Sequence, residues 1–205
     1  DWYATDHSLI TSSVYFPRMD DKGHVLIQIA TSDPVGEWRD IMQGLLLAIT
    51  SAKNYIYIQT PYLLPTEVIL VALKTSALSG VDVRIMIPEH SDSRMVHWGT
   101  CSYLEELMEA GVRIYMYQKG FLHSKLMVSD DSLASVGSTN IDFRSFEHNF
   151  EANAFLYDSA SVLQLKEIFL SDQKDAKLLH LRTWRMRPWY QKVKESVIRL
   201  FSPLL

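Results

Sequence analysis

The sequence of 205 residues has few of the features that define secreted, membrane-spanning or disordered proteins. Its single cysteine, Cys101, cannot form an internal disulfide, so nothing requires an oxidising compartment and we expect the domain to face the cytoplasm. No apolar run approaches the roughly 20 residues of a spanning helix, so membrane contact is expected to be peripheral. A content of 47% hydrophobic and 21% charged residues excludes a disordered chain.

The N-terminus has neither a methionine nor the layout of a signal peptide. We therefore expect the chain to be a piece of a longer protein. Its length suits one domain better than two small ones. Within that single domain of residues 1–205, we expect residues 1–23 to form a leader or inter-domain linker and residues 173–205 a C-terminal extension.

Positive charge is scarce except near the C-terminus. Residues 1–172 hold 12 Lys/Arg and 22 Asp/Glu, a balance of −10, whereas residues 173–205 hold 8 and 2, a balance of +6. A phosphate backbone would be repelled by most of this acidic body, because sequence-independent nucleic-acid affinity comes from Lys and Arg. The charge distribution argues against a nuclease without excluding a local basic groove.

The pattern of apolar residues predicts alternating strands and helices. The order is strand 24–32, helix 37–53, strand 55–60, helix 66–79, strand 81–88, helix 93–111 and strand 112–117. Two short strand-like runs, 122–129 and 133–138, should then pair as a hairpin, followed by strand 149–157 and helix 159–171. This order predicts an α/β fold with a parallel or mixed β-sheet covered by helices.

Polar side chains interrupt the apolar hairpin runs within GFLHSKLMVSDDSLASVGSTN, residues 120–140. Because alternate strand residues share a face, we expect His123 and Lys125 to project together. Ser138 and Asn140 should do the same at the neighbouring strand end. An imidazole, an ammonium, a hydroxyl and a carboxamide in one place suit an anionic phosphoryl centre.

These groups predict covalent catalysis at phosphorus. A neutral imidazole at His123 can attack phosphorus and form a phosphohistidine, while Lys125, Ser138 and Asn140 hold the non-bridging oxygens. This chemistry needs no metal and no cofactor. The histidine needs a group that fixes its tautomer, and Glu151 on the following strand is the candidate.

Each candidate also has a structural interpretation. A His and a Lys on one strand can be a solvated face, Asp130 can be a turn or ion-pair residue, and Glu151 can be a surface carboxylate. Tyr62, Tyr103 and Arg144 could line a lipid or acceptor site or be structural. The fixed spacing of the motif favours the chemical interpretation for the motif residues.

The spacing HxKxxxxDxxxxxxGSxN resembles the signature of the phospholipase D superfamily. It is met by His123, Lys125, Asp130, Gly137, Ser138 and Asn140. The resemblance implies a mixed sheet with helices on both faces and a phosphohistidine mechanism. It also places Glu151 as the acid that orients the histidine, and it gives Asp130 a mainly structural role.

The resemblance continues along nearly the whole chain from residue 24. QTPYLLP, GVDVRIMIP and STNIDFRSFEHNFEAN resemble the C-terminal half of bacterial cardiolipin synthases. That family joins two phosphatidylglycerol molecules with release of glycerol and uses two such motifs, whereas this chain has one. The second motif must come from an upstream half or from a second copy. The leader DWYATD resembles the junction between halves and favours the upstream half.

Two other functions remain open. The same fold could catalyse hydrolysis, as a phospholipase or half of a dimeric nuclease, or could be a non-catalytic lipid-binding module. The cardiolipin synthase interpretation places the parent protein at the bacterial cytoplasmic membrane.

The basic C-terminal segment also has two interpretations. Pro188 suits the start of a helix, and six apolar residues fall within an arc of about 120° at helical spacing. These residues are Trp189, Tyr190, Val193, Val197, Leu200 and Phe201. The helix could lie on an anionic membrane surface through this stripe. Alternatively, it packs on the domain with its basic face in water.

Overall fold

The structure is a computed structural model that describes residues 11–18, 20 and 23–204. The leader motif DWYATD lies outside the described residues. The strands are β1 (Ile27–Ser32), β2 (Tyr55–Gln59), β3 (Leu63–Leu64), β4 (Asp82–Pro88), β5 (Arg113–Tyr117), β6 (Leu126–Ser129), β7 (Leu133–Gly137), β8 (Ile141–Asp142), β9 (Glu151–Leu156) and β10 (Ala176–Leu178). The helices are α1 (Asp40–Ser51), α2 (Glu67–Leu78), α3 (Arg94–Glu109), α4 (Phe143–Glu147), α5 (Ser159–Gln173), α6 (Leu181–Arg185) and α7 (Trp189–Arg199).

Eight strands form one mixed sheet in the order β1-β9-β7-β6-β2-β4-β5-β10. The central strands β2, β4 and β5 run parallel, and the remaining neighbours are antiparallel. Alternate residues of β2 face opposite sides, so Ile56 and Ile58 pack with α1, α2 and α3 while Tyr55 and Tyr57 pack with α5. The predicted α/β fold, a mixed sheet with helices on both faces, is confirmed.

Two predicted helix ends have the expected backbone geometry. Gly80 and Gly111 follow α2 and α3 with φ of 94° and 99°, in the left-handed region that glycine adopts without steric cost. At its start, α3 is capped by Ser93, whose hydroxyl accepts a hydrogen bond from the backbone N–H of Val96 at 3.4 Å. These local signals explain why the helix boundaries were predictable to within a residue or two.

The hairpin of β6 and β7 is confirmed, but the first strand is shorter than predicted. Residues 122–125 precede β6 and have no regular structure. The Lys125 ammonium donates to the His123 carbonyl at 2.7 Å, and the Ser124 hydroxyl donates to Gln59 Oε1 at 2.8 Å. The expectation that His123 and Lys125 share a strand face is wrong, because both residues lie before the start of β6.

The C-terminal segment contains elements that the pattern did not predict. Residues 176–178 form β10, which pairs with β5 at the sheet edge, and α6 follows. The predicted helix after Pro188 is present as α7 and packs along α3. Its charged face contacts the domain. The predicted alternative of a packed helix with its basic face in water is therefore wrong.

None of the described helices is both long and apolar enough to cross a bilayer.

Candidate active site

All the motif residues except Asp130 lie at the carboxyl end of the parallel strands. Lys125 directly precedes β6, and Gly137 is the last residue of β7. The backbone N–H of Gly137 donates to the Lys125 carbonyl at 3.3 Å. Leu126 also pairs with Gln59, the last residue of β2. The start of β6, next to Lys125, therefore lies beside the end of β7, which Ser138 follows. This is the edge at which α/β sheets commonly bind ligands.

His123 is exposed at this edge among aromatic side chains. Its ring centroid lies 5.3 Å from that of Phe121 and 6.5 Å from that of Tyr62. The Tyr62 hydroxyl donates to Asp92 at 2.7 Å. Burial and this carboxylate acceptor raise the pKa of Tyr62 to about 12, so the phenol stays neutral. Tyr62 therefore lies near the candidate imidazole and is held by Asp92, and its role in lining a lipid or acceptor site stays a prediction.

Lys125 is the cation of the site. Burial lowers the pKa of its ammonium, and the nearby carboxylates of Glu151, Asp142 and Asp92 oppose that shift. A partly desolvated ammonium interacts more strongly with a phosphoryl oxygen than one in bulk water. The three carboxylates stabilise the charged form of Lys125 within the candidate site.

Ser138 and Glu151 are joined directly. The Ser138 hydroxyl donates to Glu151 Oε2 and accepts from the backbone N–H of Ala152 at 3.0 Å. The other oxygen of Glu151, which is a buried residue, accepts from the Asn149 amide at 3.0 Å. Neither bond involves His123. Orientation of the imidazole by Glu151 therefore stays a prediction.

The backbone of Asn140 is hydrogen-bonded to α4. Its backbone N–H donates to the Ser145 hydroxyl at 3.3 Å, and Ser145 N–H in turn donates to Asp142 at 2.7 Å. Burial raises the pKa of Asp142, against the hydrogen bonds it receives from Ser145 and Asn140. Asn140 Oδ1 is buried without a hydrogen-bond partner in the described part of the chain. Only the N–H groups of the carboxamide, one of which bonds Asp142, could donate to a phosphoryl oxygen.

Gln59 is a site residue that the sequence reasoning missed. Its side-chain Oε1 accepts from Ser124 at 2.8 Å, and its Nε2 donates to Asp172 of α5 at 2.8 Å. Both the oxygen and the nitrogen of the buried amide are therefore hydrogen-bonded. The chain from Asp172 through Gln59 to Ser124 fixes the segment that carries His123. No local signal identifies it, because Gln59 and Asp172 are 113 residues apart.

Gly137 is required by the close approach of β7 and β9. A Cβ atom at this position would overlap the side-chain oxygen of Asn153 and the carbonyl oxygen of Ala152. The glycine of the GSxN motif thus allows Ser138 to reach Ala152 and Glu151. Its role in the motif is steric.

Asp130 lies in the β6–β7 turn, at the end of the hairpin away from His123. Its carboxylate accepts from the backbone N–H groups of Lys53, Asn54 and Tyr55 at 2.6, 2.9 and 2.9 Å. Burial raises the pKa of Asp130, but these donors outweigh it and lower the pKa overall. Asp130 therefore joins the hairpin to the start of β2, and among the described residues its carboxylate makes no hydrogen bond to the candidate site.

Of the two remaining candidates, Tyr103 lies away from the candidate site and Arg144 lies near it. Tyr103 is buried on α3, where its hydroxyl donates to the Ser202 hydroxyl at 3.1 Å beneath Arg199. It belongs to the packing of the C-terminal segment. Arg144 is exposed on α4, next to the Asn140 and Asp142 segment.

The fold and this arrangement define a phospholipase D-like domain. Nuc from Salmonella typhimurium, described as a phospholipase D family member, superposes with a TM-score of 0.64 at 21% identity, over 77% of this chain and 99% of its own. Phosphatidylserine synthase from Haemophilus influenzae gives a TM-score of 0.71 at 15% identity, over 87% of this chain and 47% of its own. At these identities the similarity concerns the fold alone.

Sequence similarity narrows the class. Residues 45–173 match the family described as "Cardiolipin synthase, PLD-like domain". Cardiolipin synthase 2 from Staphylococcus epidermidis is 45% identical over 207 aligned positions, which cover 100% of this chain and 42% of the relative. The chain belongs to the cardiolipin synthase, PLD-like domain family, and it spans less than half the length of this curated relative.

Proposed function

We propose that this domain supplies one of two half-sites of a phosphatidyltransferase that makes cardiolipin from two phosphatidylglycerol molecules and releases glycerol. The observation that carries the proposal is the position of His123, Lys125, Ser138 and Asn140 at one sheet edge, in a chain that is similar over its full length to cardiolipin synthase 2. The substrate is inferred from that similarity. The residues supply the means of reacting at its phosphorus.

The reaction proceeds through two displacements at one phosphorus atom. In the first, an imidazole nitrogen forms a bond to phosphorus while the bond to the glycerol oxygen breaks, and a second histidine protonates that oxygen. In the second, a hydroxyl of another phosphatidylglycerol attacks, the phosphorus–nitrogen bond breaks, and the second histidine takes the hydroxyl proton. His123 fills one of these two roles. Lys125 and the Ser138 and Asn140 side chains stabilise the charge on the non-bridging oxygens.

The second histidine must lie on the far side of phosphorus. A nucleophile and an acid on one strand edge cannot occupy both ends of an in-line displacement. We infer that the partner motif belongs to an upstream half of the same protein or to a second copy of this domain. Residues 1–23 would join the two halves, and residues 173–205 would extend the catalytic domain. From the similarity to cardiolipin synthases we infer that the parent enzyme acts at the bacterial cytoplasmic membrane, with this domain facing the cytoplasm.

The test is product analysis with the parent enzyme, defined as the protein that contains both half-sites. Incubated with phosphatidylglycerol vesicles, it should yield cardiolipin and glycerol in equal amounts. His123→Asn should abolish the product, whereas His24→Asn, at an exposed position outside the site, should not. Phosphatidic acid without cardiolipin would show hydrolysis and contradict a synthase. Normal turnover by His123→Asn would remove this imidazole from the mechanism.

A further inference from the structure

Helix α7 packs on the domain through its charged face. Glu195 is its buried residue, and both carboxylate oxygens accept from Arg187, at 2.5 and 3.0 Å. On either side of Glu195, Arg199 pairs with Glu106 at 2.6 Å and Lys192 pairs with Glu105 at 3.5 Å. Several ion pairs to α3 and the preceding loop therefore fix the rotation of the helix about its axis.

The opposite face of α7 is apolar and exposed. We call it the α7 stripe, and it consists of Trp189, Tyr190, Val193, Val197, Leu200 and Phe201. At 100° per residue, the centre of the stripe lies about 180° from Glu195. Trp189 is 75% exposed and Leu200 is 79% exposed. A contiguous exposed stripe of this kind marks an interaction surface, because soluble proteins normally cover such residues.

Unpaired cations lie beside the stripe. Lys177, Lys194 and Tyr190 line one cavity of about 430 Å³ between α7 and the sheet edge. In the described part of the chain neither lysine has a carboxylate partner, in contrast to Lys192 and Arg199. The bases that hold the helix are thus paired with carboxylates, whereas Lys194 lies over the Trp98 ring at 5.4 Å and Lys177 is exposed in the same cavity, which Glu89 and Glu195 also line. Lysines without carboxylate partners at one edge of an apolar stripe complement a surface with anionic headgroups above acyl chains.

The far end of the stripe lies close to the candidate active site. After α7, the chain forms a 3-10 helix at Ser202–Leu204 that contacts α4, the helix that follows Asp142. A flat surface bound along the stripe therefore extends toward the edge that carries Asn140. Trp and Tyr rings in the stripe suit a water–lipid boundary, since each combines an apolar body with a polar group.

We propose that the α7 stripe binds the surface of an anionic phospholipid bilayer, with the helix parallel to the membrane plane and with Lys177 and Lys194 contacting lipid phosphates. The helix is presented in its binding orientation by the ion pairs on its opposite face. Membrane attachment is thereby separate from catalysis, and the proposal does not depend on which reaction the site performs.

The test is sedimentation of the 205-residue chain with vesicles of phosphatidylglycerol and phosphatidylcholine, compared with phosphatidylcholine alone. Val193→Glu with Val197→Glu should weaken binding to the anionic vesicles more than about tenfold, because two carboxylates then face acyl chains and anionic headgroups. The matched control is Val68→Glu with Val71→Glu on α2. These valines are 50% and 47% exposed, against 51% and 49% for Val193 and Val197. The control should bind as the unmodified chain does.

Two further variants separate the contributions. Lys177→Gln with Lys194→Gln should weaken binding about fivefold for each lysine and reduce its salt dependence. His123→Asn should bind normally, which keeps this test independent of the proposed reaction. Thermal unfolding confirms that each variant is folded.

Two outcomes would overturn the proposal. One is vesicle binding by Val193→Glu, Val197→Glu equal to that of its α2 control. The other is self-association through the stripe, seen as a dimer that the double variant converts to a monomer without any change in vesicle binding.

Discussion

Gln59 illustrates how a single buried amide can control the position of a reactive side chain. Its amide bonds Ser124 at one end and Asp172 of α5 at the other, so it links the position of the segment that carries His123 to α5. Gln59→Leu keeps the volume but removes both hydrogen bonds. We expect kcat of the parent enzyme to fall about tenfold to a hundredfold with KM nearly unchanged, because the imidazole is misplaced and no substrate contact is lost.

The control for Gln59 is another buried polar residue that lies away from the site. The Ser76 hydroxyl donates to the Ile49 carbonyl at 2.9 Å between α2 and α1. Ser76→Ala should lower the free energy of unfolding by about 1–3 kcal/mol without affecting kcat. Equal loss of kcat in the two variants would mean that general destabilisation, not positioning, explains the result.

Asp130 predicts a pH-dependent stability contribution. Its pKa is lowered in the folded protein, so its contribution is fully present above the unfolded pKa of about 3.9 and is lost as pH falls through the folded pKa. Asp130→Asn should lower the free energy of unfolding by about 1–3 kcal/mol at pH 7, since three backbone donors lose a charged acceptor. The difference from the unmodified chain should shrink as the pH is lowered below about 4.

Denaturant titrations at several pH values measure this effect. Glu37→Gln is the control, because this carboxylate is exposed in the loop before α1. Its effect should be close to zero at every pH. A pH-independent loss in Asp130→Asn would show that geometry, rather than charge, is responsible.

At the scale of strands, the contact between β7 and β9 sets the position of Ser138. Gly137→Ala places a methyl group against Asn153 and the Ala152 carbonyl, so the two strands must separate. We expect a loss of about 1–3 kcal/mol in the free energy of unfolding, together with a displaced Ser138 and reduced kcat. Gly23→Ala is the control, because nothing lies within 4 Å of its added Cβ. Unchanged stability of Gly137→Ala would show that the strands can move apart at little cost.

The elements that sequence reasoning predicted are those with local signals. Helices α2 and α3 combine apolar periodicity with a terminal glycine, and the β6–β7 hairpin has its two-aspartate turn. Strand β10 has three residues, and its pairing with β5 defines it, so no pattern could predict it. The same is true of the irregular segment at residues 122–125. His123, Lys125, Ser138 and Asn140 were predicted from their spacing, whereas Gln59 and Asp142 act through contacts that only the fold creates.

For the whole molecule, the acidic body and the basic C-terminal segment partly neutralise each other. Glu105 and Glu109 of α3 contact Arg185, and Glu105 and Glu106 contact Lys192 and Arg199. Each exposed pair contributes only about 0–1 kcal/mol, but together they fix the orientation of α7. Half of the positive charge of the C-terminal segment is therefore used in intramolecular ion pairs, and in the described part of the chain Lys177 and Lys194 are among the bases without one.

The whole-molecule prediction concerns the number of half-sites. This chain carries one motif, and an in-line displacement needs a group on each side of phosphorus, so a monomer of residues 1–205 should have no more than about a thousandth of the parent enzyme's activity. Activity should return when the partner half is supplied, or should rise with the square of concentration if two copies combine. Sedimentation equilibrium alongside the product assay measures both quantities. Robust turnover by a proven monomer would mean that a single imidazole serves both as nucleophile and as acid, and the requirement for a second half-site would be wrong.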